Sequence, residues 1–143
     1  MKNTLQPGLV FTHRTLVTSS HTVPALLPES AEFRAMPSVL ATGYMVGLFE
    51  WACIELLRPH LDPGEGSLGT HVDFSHTAAT PPGFTLEVTA TLTQVDGRSL
   101  YFDVRGHDGV DEIGKGIHRR AIVSWERFAP RVAAKAGRLG ASG

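Results

Sequence analysis

The sequence predicts an α+β fold in which a curled antiparallel β-sheet wraps around one long central helix. Three observations predict it. Residues 39–57 form a helix-length run that is apolar on nearly every face, as expected of a helix buried on most sides. Four strand-like runs follow. The clearest, residues 84–95, alternates Phe84, Leu86, Val88, Ala90 and Leu92 with Thr85, Glu87, Thr89, Thr91 and Thr93, the period of a sheet with one buried and one wet face. Asp96-Gly97 and Asp108-Gly109 are two-residue hairpin signals between runs, which makes their neighbours antiparallel.

Taken in order, residues 9–18 read as a first strand opened by the Pro7-Gly8 turn signal. Residues 21–39 carry Pro24, Pro28 and Pro37, and prolines so closely spaced forbid one long helix because each removes a backbone donor. Val23, Leu26, Leu27, Phe33 and Met36 are nevertheless too apolar for a bare loop, so this segment is expected to fold over something as a lid or to pack at a subunit interface. Pro37-Ser38 gives the central helix its start, with Ser38 as N-cap. Arg58-Pro59 and Asp62-Pro63-Gly64 end it. A glycine-rich turn over residues 64–69 leads into a strand whose Val72, Phe74, His76 and Ala78 share one face. Residues 98–107 place Leu100, Phe102 and Val104 inward. Residues 110–128 are expected to do so with Ile113, Ile117, Ala121, Val123 and Trp125, and Gly114 and Gly116 mark a bulge or a close backbone approach. One domain spans residues 1–143, with 129–143 a loosely ordered tail. This order is the hot-dog arrangement. One such sheet leaves an edge and part of the helix uncovered, so a homodimer is expected.

Composition narrows the function classes. At 143 residues, with 42% hydrophobic and 19% charged residues, the chain is globular. A formal net charge of −1 without a basic stripe argues against a nucleic-acid surface. Cys53 is the single cysteine, so no disulfide framework exists. No signal-peptide core is present, and Glu50 and Glu55 interrupt the apolar run before the ~18 residues a membrane span needs. A soluble, cytoplasmic protein is expected. The histidines other than His76 show no metal spacing with Cys or carboxylates, and neither metal nor cofactor is expected.

Three polar residues stand out in the apolar interior. Thr42 and Glu50 lie eight positions apart on the helix, about 80° apart in azimuth and two turns along, so they can border one cavity without touching. An ionised Glu50 among Val46, Phe49, Trp51 and Ile54 is costly unless paired. His76 points into the same interior. A hydroxyl, a carboxylate and an imidazole there compose a hydrolytic site. Each also has a bland explanation: Glu50 satisfied by an arginine of the sheet, Thr42 bonded back to the carbonyl a turn earlier, and His76 a core histidine. The glycine-rich turn allows the Gly69 N–H to approach a ligand as an oxyanion donor. Arg119 has the apolar parity and Arg120 the opposite one, unless a bulge at Gly114 or Gly116 swaps them. Arg127, Arg131, Lys135 and Arg138 read as a solvated tail that can also meet CoA phosphates.

The motifs ATGYMVGLFEWAC, PGEGSLGT, SHTAATPPG and HDGVDEIGKGIHRRA resemble the fluoroacetyl-CoA thioesterase family of the hot-dog superfamily, from about Pro7 to Phe128. The resemblance implies a homodimeric acyl-CoA hydrolase. It places Thr42, Glu50 and His76 in the catalytic set, Gly69 at the backbone donor for the thioester oxygen, and Arg120 as a further active-site residue. Val23, Leu26 and Phe33 match the apolar lid over the acyl group. Met36 departs from the family, which has a second lid phenylalanine there. Since Met fills a different shape, strict fluorine selectivity is the point at issue. The substrate expected is a short 2-substituted acetyl-CoA, foremost fluoroacetyl-CoA, with Glu50 attacking the carbonyl or activating water and His76 as general base and acid. The alternatives are a short-chain acyl-CoA thioesterase without fluorine selectivity and a non-catalytic acyl-CoA-binding module. Whether Glu50 and His76 meet within one subunit or across an interface is left open.

Overall fold

The computed structural model describes residues 1–142. Five strands form one sheet: β1 (Val10–Leu16), β2 (Glu65–Phe74), β3 (Thr85–Asp96), β4 (Ser99–His107) and β5 (Glu112–Ser124). Their spatial order is β1-β3-β4-β5-β2 and every pairing is antiparallel. Two single-turn helices, α1 (Val23–Leu26) and α2 (Ala31–Arg34), precede the long helix α3 (Thr42–Leu57), and α4 (Trp125–Ser142) follows β5. The curled sheet around a central helix is the arrangement expected. No helix of the described residues is long and apolar enough to cross a membrane.

The core lies between α3 and the concave face of the sheet. Met45, Leu48, Phe49, Ala52, Cys53, Leu56 and Leu57 are buried on α3, the i, i+3, i+4 spacing of one helix face. They meet Leu86, Val88, Ala90 and Leu92 of β3 and Leu100, Phe102 and Val104 of β4, the inward residues alternation predicts. Gly106 of β4 lies where a Cβ would sit 2.8 Å from the Phe49 ring, so the largest side chain of the face has room. The opposite face of α3 is not buried within the chain: Trp51 is 45% and Ile54 40% exposed.

Cys53 is fully buried beneath this packing, and burial pushes its thiol up to about 12, with Arg120 opposing and Glu50 adding. Since the thiolate is the reactive form, the native protein should leave Ellman's reagent uncoloured at pH 8 and titrate one thiol once denatured. Rapid labelling of the native protein would contradict that burial.

Five elements differ from expectation. The strand expected to carry His76 ends at Phe74, and Val72, expected inward with it, is 44% exposed. The helix begins at Thr42 with Ala41 as N-cap, and Ser38 caps nothing. Residues 38–40 stay outside the helix because their backbone groups are already paired: Val23 N–H donates to Val39 O (3.0 Å), Leu40 N–H donates to Thr80 O (2.8 Å), and Thr22 bridges Leu40. The glycine-rich turn shrinks to Pro63-Gly64, with Gly64 at φ +81°; Glu65 onward is β2. Gly66 there leaves space for Trp125, whose ring would lie 2.0 Å from a Cβ.

In β5 the inward residues are Gly114, His118, Arg120 and Ile122, while Ile117 is 49% exposed and Ala121 and Val123 are only half-buried. A register shift between Gly106 and His107 of β4 skips Ile113. That bulge puts Ile113 and Gly114 inside together and reverses the parity thereafter. Gly116 lies where a Cβ would sit 1.8 Å from Asp73 O, the close backbone approach anticipated. The stretch expected as a loose tail continues β5 as α4, anchored where Trp125 N–H donates to Gly64 O (3.0 Å); residue 143 lies outside the described residues.

Candidate active site

Thr42 and His76 form a pair. The Thr42 hydroxyl lies 2.8 Å from His76 Nδ1. As the first residue of α3, Thr42 is not the mid-helix threonine whose hydroxyl bonds back one turn. His76 sits past the end of β2 on a stretch tied to β5, with Ser75 N–H donating to Lys115 O (2.8 Å) and Thr77 N–H to Ile113 O (2.7 Å). Its Nε2 is buried and, among the described residues, has no hydrogen-bond partner. Burial lowers the His76 pKa, against an opposing backbone contact at Ala78, so the imidazole is neutral and able to take a proton.

The pair is held by a buried staple. Thr80 accepts from Leu40 N–H through its carbonyl and donates its hydroxyl to Asp108 Oδ2 (2.8 Å). Asp108 Oδ1 accepts from the N–H groups of Val110 (2.9 Å) and Asp111 (2.8 Å). Burial alone would raise the Asp108 pKa, but these bonds and the nearby His107 outweigh it, and the carboxyl is held below its usual range. The start of α3 and the stretch carrying His76 therefore share one anchor.

Glu50 belongs to a second group. Arg120 Nη1 donates to Glu50 Oε1 (2.9 Å) and to His118 Nε2 (3.1 Å), Nε donates to Ser67 Oγ (2.8 Å), and Nη2 donates to Ser67 O (2.9 Å). Four of the guanidinium's five N–H groups are thus committed, and Arg120 is only 3% exposed. The explanation of Glu50 as a carboxylate satisfied by an arginine of the sheet is what this geometry contains. Its side chain is still 34% exposed, so the pair holds the carboxylate at the rim of the core and does not bury it. Among the described residues Oε2 carries no hydrogen bond. Gly69 faces the same oxygen pair: a Cβ there would sit 2.5 Å from Oε1. Thr70 is the extra residue of a bulge in β2, which loosens the ladder beside the carboxylate. Arg119 points outward over the Tyr101 ring, 4.6 Å from its centroid.

The two groups do not meet within the chain. Eight helical residues separate Thr42 from Glu50, about 12 Å along the axis, and among the described residues no hydrogen bond or ion pair joins Glu50 to Thr42 or His76. The segment expected to form a lid touches the start of α3 through Leu26. Leu26 packs on Gly43, where a Cβ would meet its Cδ2 at 3.0 Å, and Val23 and Phe33 are half-buried, while Met36 is 51% exposed. Arg127 and Arg131 border a groove of about 490 Å³ that Asp62, Glu65 and Glu126 also line, a mixed and not a cationic surface.

Ser67 and His118 were not among the residues singled out from sequence. The signal for His118 was its spacing of two from Arg120, which puts both on one strand face; the bulge hid that the face is the inner one.

Residues 17–126 match the family of fluoroacetyl-CoA-specific thioesterases. The chain belongs to that family. The fluoroacetyl-CoA thioesterase of Streptantibioticus cattleyicolor is 53% identical over 135 residues, covering 94% of this chain and 97% of the relative. A solved fluoroacetyl-CoA thioesterase structure superposes with a TM-score of 0.90 at 53% identity, covering 92% of this chain and 97% of the other. A thioesterase superfamily member of Thermus thermophilus superposes with a TM-score of 0.86 at 26% identity, covering 96% of this chain and 97% of the other. The fold of the family, the hot-dog fold, is thereby also that of this chain.

Proposed function

We propose that the protein hydrolyses fluoroacetyl-CoA to fluoroacetate and CoA. The match to the fluoroacetyl-CoA-specific thioesterases over residues 17–126 carries the reading, and a related structure holds fluoroacetate and CoA. The geometry supports this reading. Glu50, fixed through Oε1, presents Oε2 to the thioester carbonyl or to a water. His76, neutral and oriented by Thr42, takes and returns the proton. The Gly69 N–H is the donor for the thioester oxygen. The leaving group is the CoA thiolate.

This reading needs a second copy of the chain. A general base acts over about 3 Å, not across the two helical turns that separate the groups, so Thr42 and His76 of one protomer are proposed to work with Glu50, Gly69 and Arg120 of its partner. The exposed apolar residues Trp51 and Ile54 of α3 and Val72 of the edge strand β2 are the surface such a homodimer would bury. Arg120 then acts by holding Glu50, since four of its five N–H groups are committed.

The direct test is release of free thiol from fluoroacetyl-CoA and from acetyl-CoA, each as kcat/KM. A large preference for the fluorinated thioester is expected. Comparable rates would make the protein a short-chain thioesterase in which the exposed Met36 does not restore selectivity. Release from neither would return it to an acyl-CoA-binding module.

A further inference from the structure

We propose that His118 is a positioning residue for the reaction: as a neutral imidazole protonated on Nδ1, it is the acceptor that fixes the Arg120 guanidinium and, through it, the Glu50 carboxylate. This rests on the thioesterase reading for its consequence, though not for its geometry. His118 is fully buried on the inner face of β5. Its Nδ1 lies 2.7 Å from His71 O. A carbonyl oxygen only accepts, so the proton is on Nδ1. Its Nε2 lies 3.1 Å from Arg120 Nη1. A guanidinium nitrogen only donates, so Nε2 offers a lone pair. One tautomer of the neutral ring satisfies both bonds, and the imidazolium satisfies only the first.

The surroundings favour that form. From β5 the ring faces Arg120; from β2, the His71 carbonyl and side chain and the Phe74 ring, 5.8 Å away; from β4, the Phe102 ring at 6.3 Å; and from α3, Glu50 Oε1 at 3.8 Å. Glu50 alone of the side chains favours a cation there. Burial is the leading influence and lowers the His118 pKa, as do Arg120 and His71, while the bond to His71 O and the Glu50 charge oppose them.

The role follows from the two hydrogens on Nη1. One goes to Glu50 and the other to His118. Without the second acceptor a buried N–H is left unpaired, and the guanidinium relieves it by turning about its Ser67 contacts, taking Glu50 along. Misplacing a reacting group by about 1 Å can cost on the order of 100-fold in rate.

Two measurements test this. A nitrogen-15 histidine spectrum of the wild-type protein at pH 7 should show His118 protonated on Nδ1 and bare on Nε2. For the rate, His118→Gln places an amide oxygen where Nε2 stood and should keep most of kcat. His118→Asn reaches only the His71 carbonyl and should lose roughly 10- to 100-fold in kcat at similar KM and thermal midpoint. A proton on Nε2, or Gln and Asn variants that behave alike, overturns the proposal. The spectrum needs no turnover, so a wild-type protein inactive on fluoroacetyl-CoA would sink the function reading separately.

Discussion

Glu50→Gln and His76→Ala should each lower kcat by orders of magnitude with the fold intact, and an equal mixture of the two inactive proteins should recover about a quarter of wild-type activity. The recovery is the sharper half. Random exchange puts half of the chains in mixed dimers, and each mixed dimer pairs one unaltered Glu50 with the unaltered His76 of its partner. Glutamine keeps an oxygen for Arg120 Nη1, so the network around Ser67 and His118 stays in place. Alanine at 76 removes the ring partner of the Thr42 hydroxyl but leaves the Thr80–Asp108 staple untouched. Measuring turnover after mixing and subunit exchange decides the arrangement. Inactivity of both variants with no recovery would place the two groups in one protomer, which the spacing along α3 contradicts. Near-normal turnover of either variant alone would remove that residue from the chemistry.

Gly69→Ala should lower kcat/KM by on the order of 100-fold and barely move the thermal midpoint. The added methyl would sit 2.5 Å from Glu50 Oε1 and 3.2 Å from the His118 ring. The nearest atom is the end of a flexible, partly exposed side chain, so the fold adjusts by moving the carboxylate away from its working position. Gly114→Ala makes the useful contrast. Its methyl would sit 2.2 Å from the Ser75 carbonyl oxygen, a backbone atom that cannot step aside, and it should unfold the protein at lower temperature. Equal losses of stability in the two variants would show that Gly69 is spared for packing and not for chemistry.

Much of the fold could be read from residue pattern because it depends on local periodicity. The alternation of Leu86, Val88, Ala90 and Leu92 has one solution, and the structure adopts it. β5 resisted reading because a single bulged residue, Ile113, reverses everything after it, and bulges follow from pairing with another strand. The start of α3 was misplaced for a similar reason: Val39 and Leu40 find backbone partners in residues 23 and 80, far away in sequence. At the site, the types were legible and the company was not. A carboxylate in an apolar helix announces that it has a partner, but choosing Arg120 over Arg119 required the register.

The lid is closed at its neck. Val23 N–H meets Val39 O, Ala41 N–H meets His21 O, and Thr22 bridges Leu40, so the intervening residues form a loop with joined ends on the entrance to α3. The neck is also the site's own support, because Leu40, which Thr22 bridges, donates its N–H to Thr80 O above the Thr80–Asp108 anchor. On the proposed function, a substitution near the neck would therefore disturb Thr42 and His76 as well, whereas one at the exposed Met36 could alter acyl preference while the anchor stays in place.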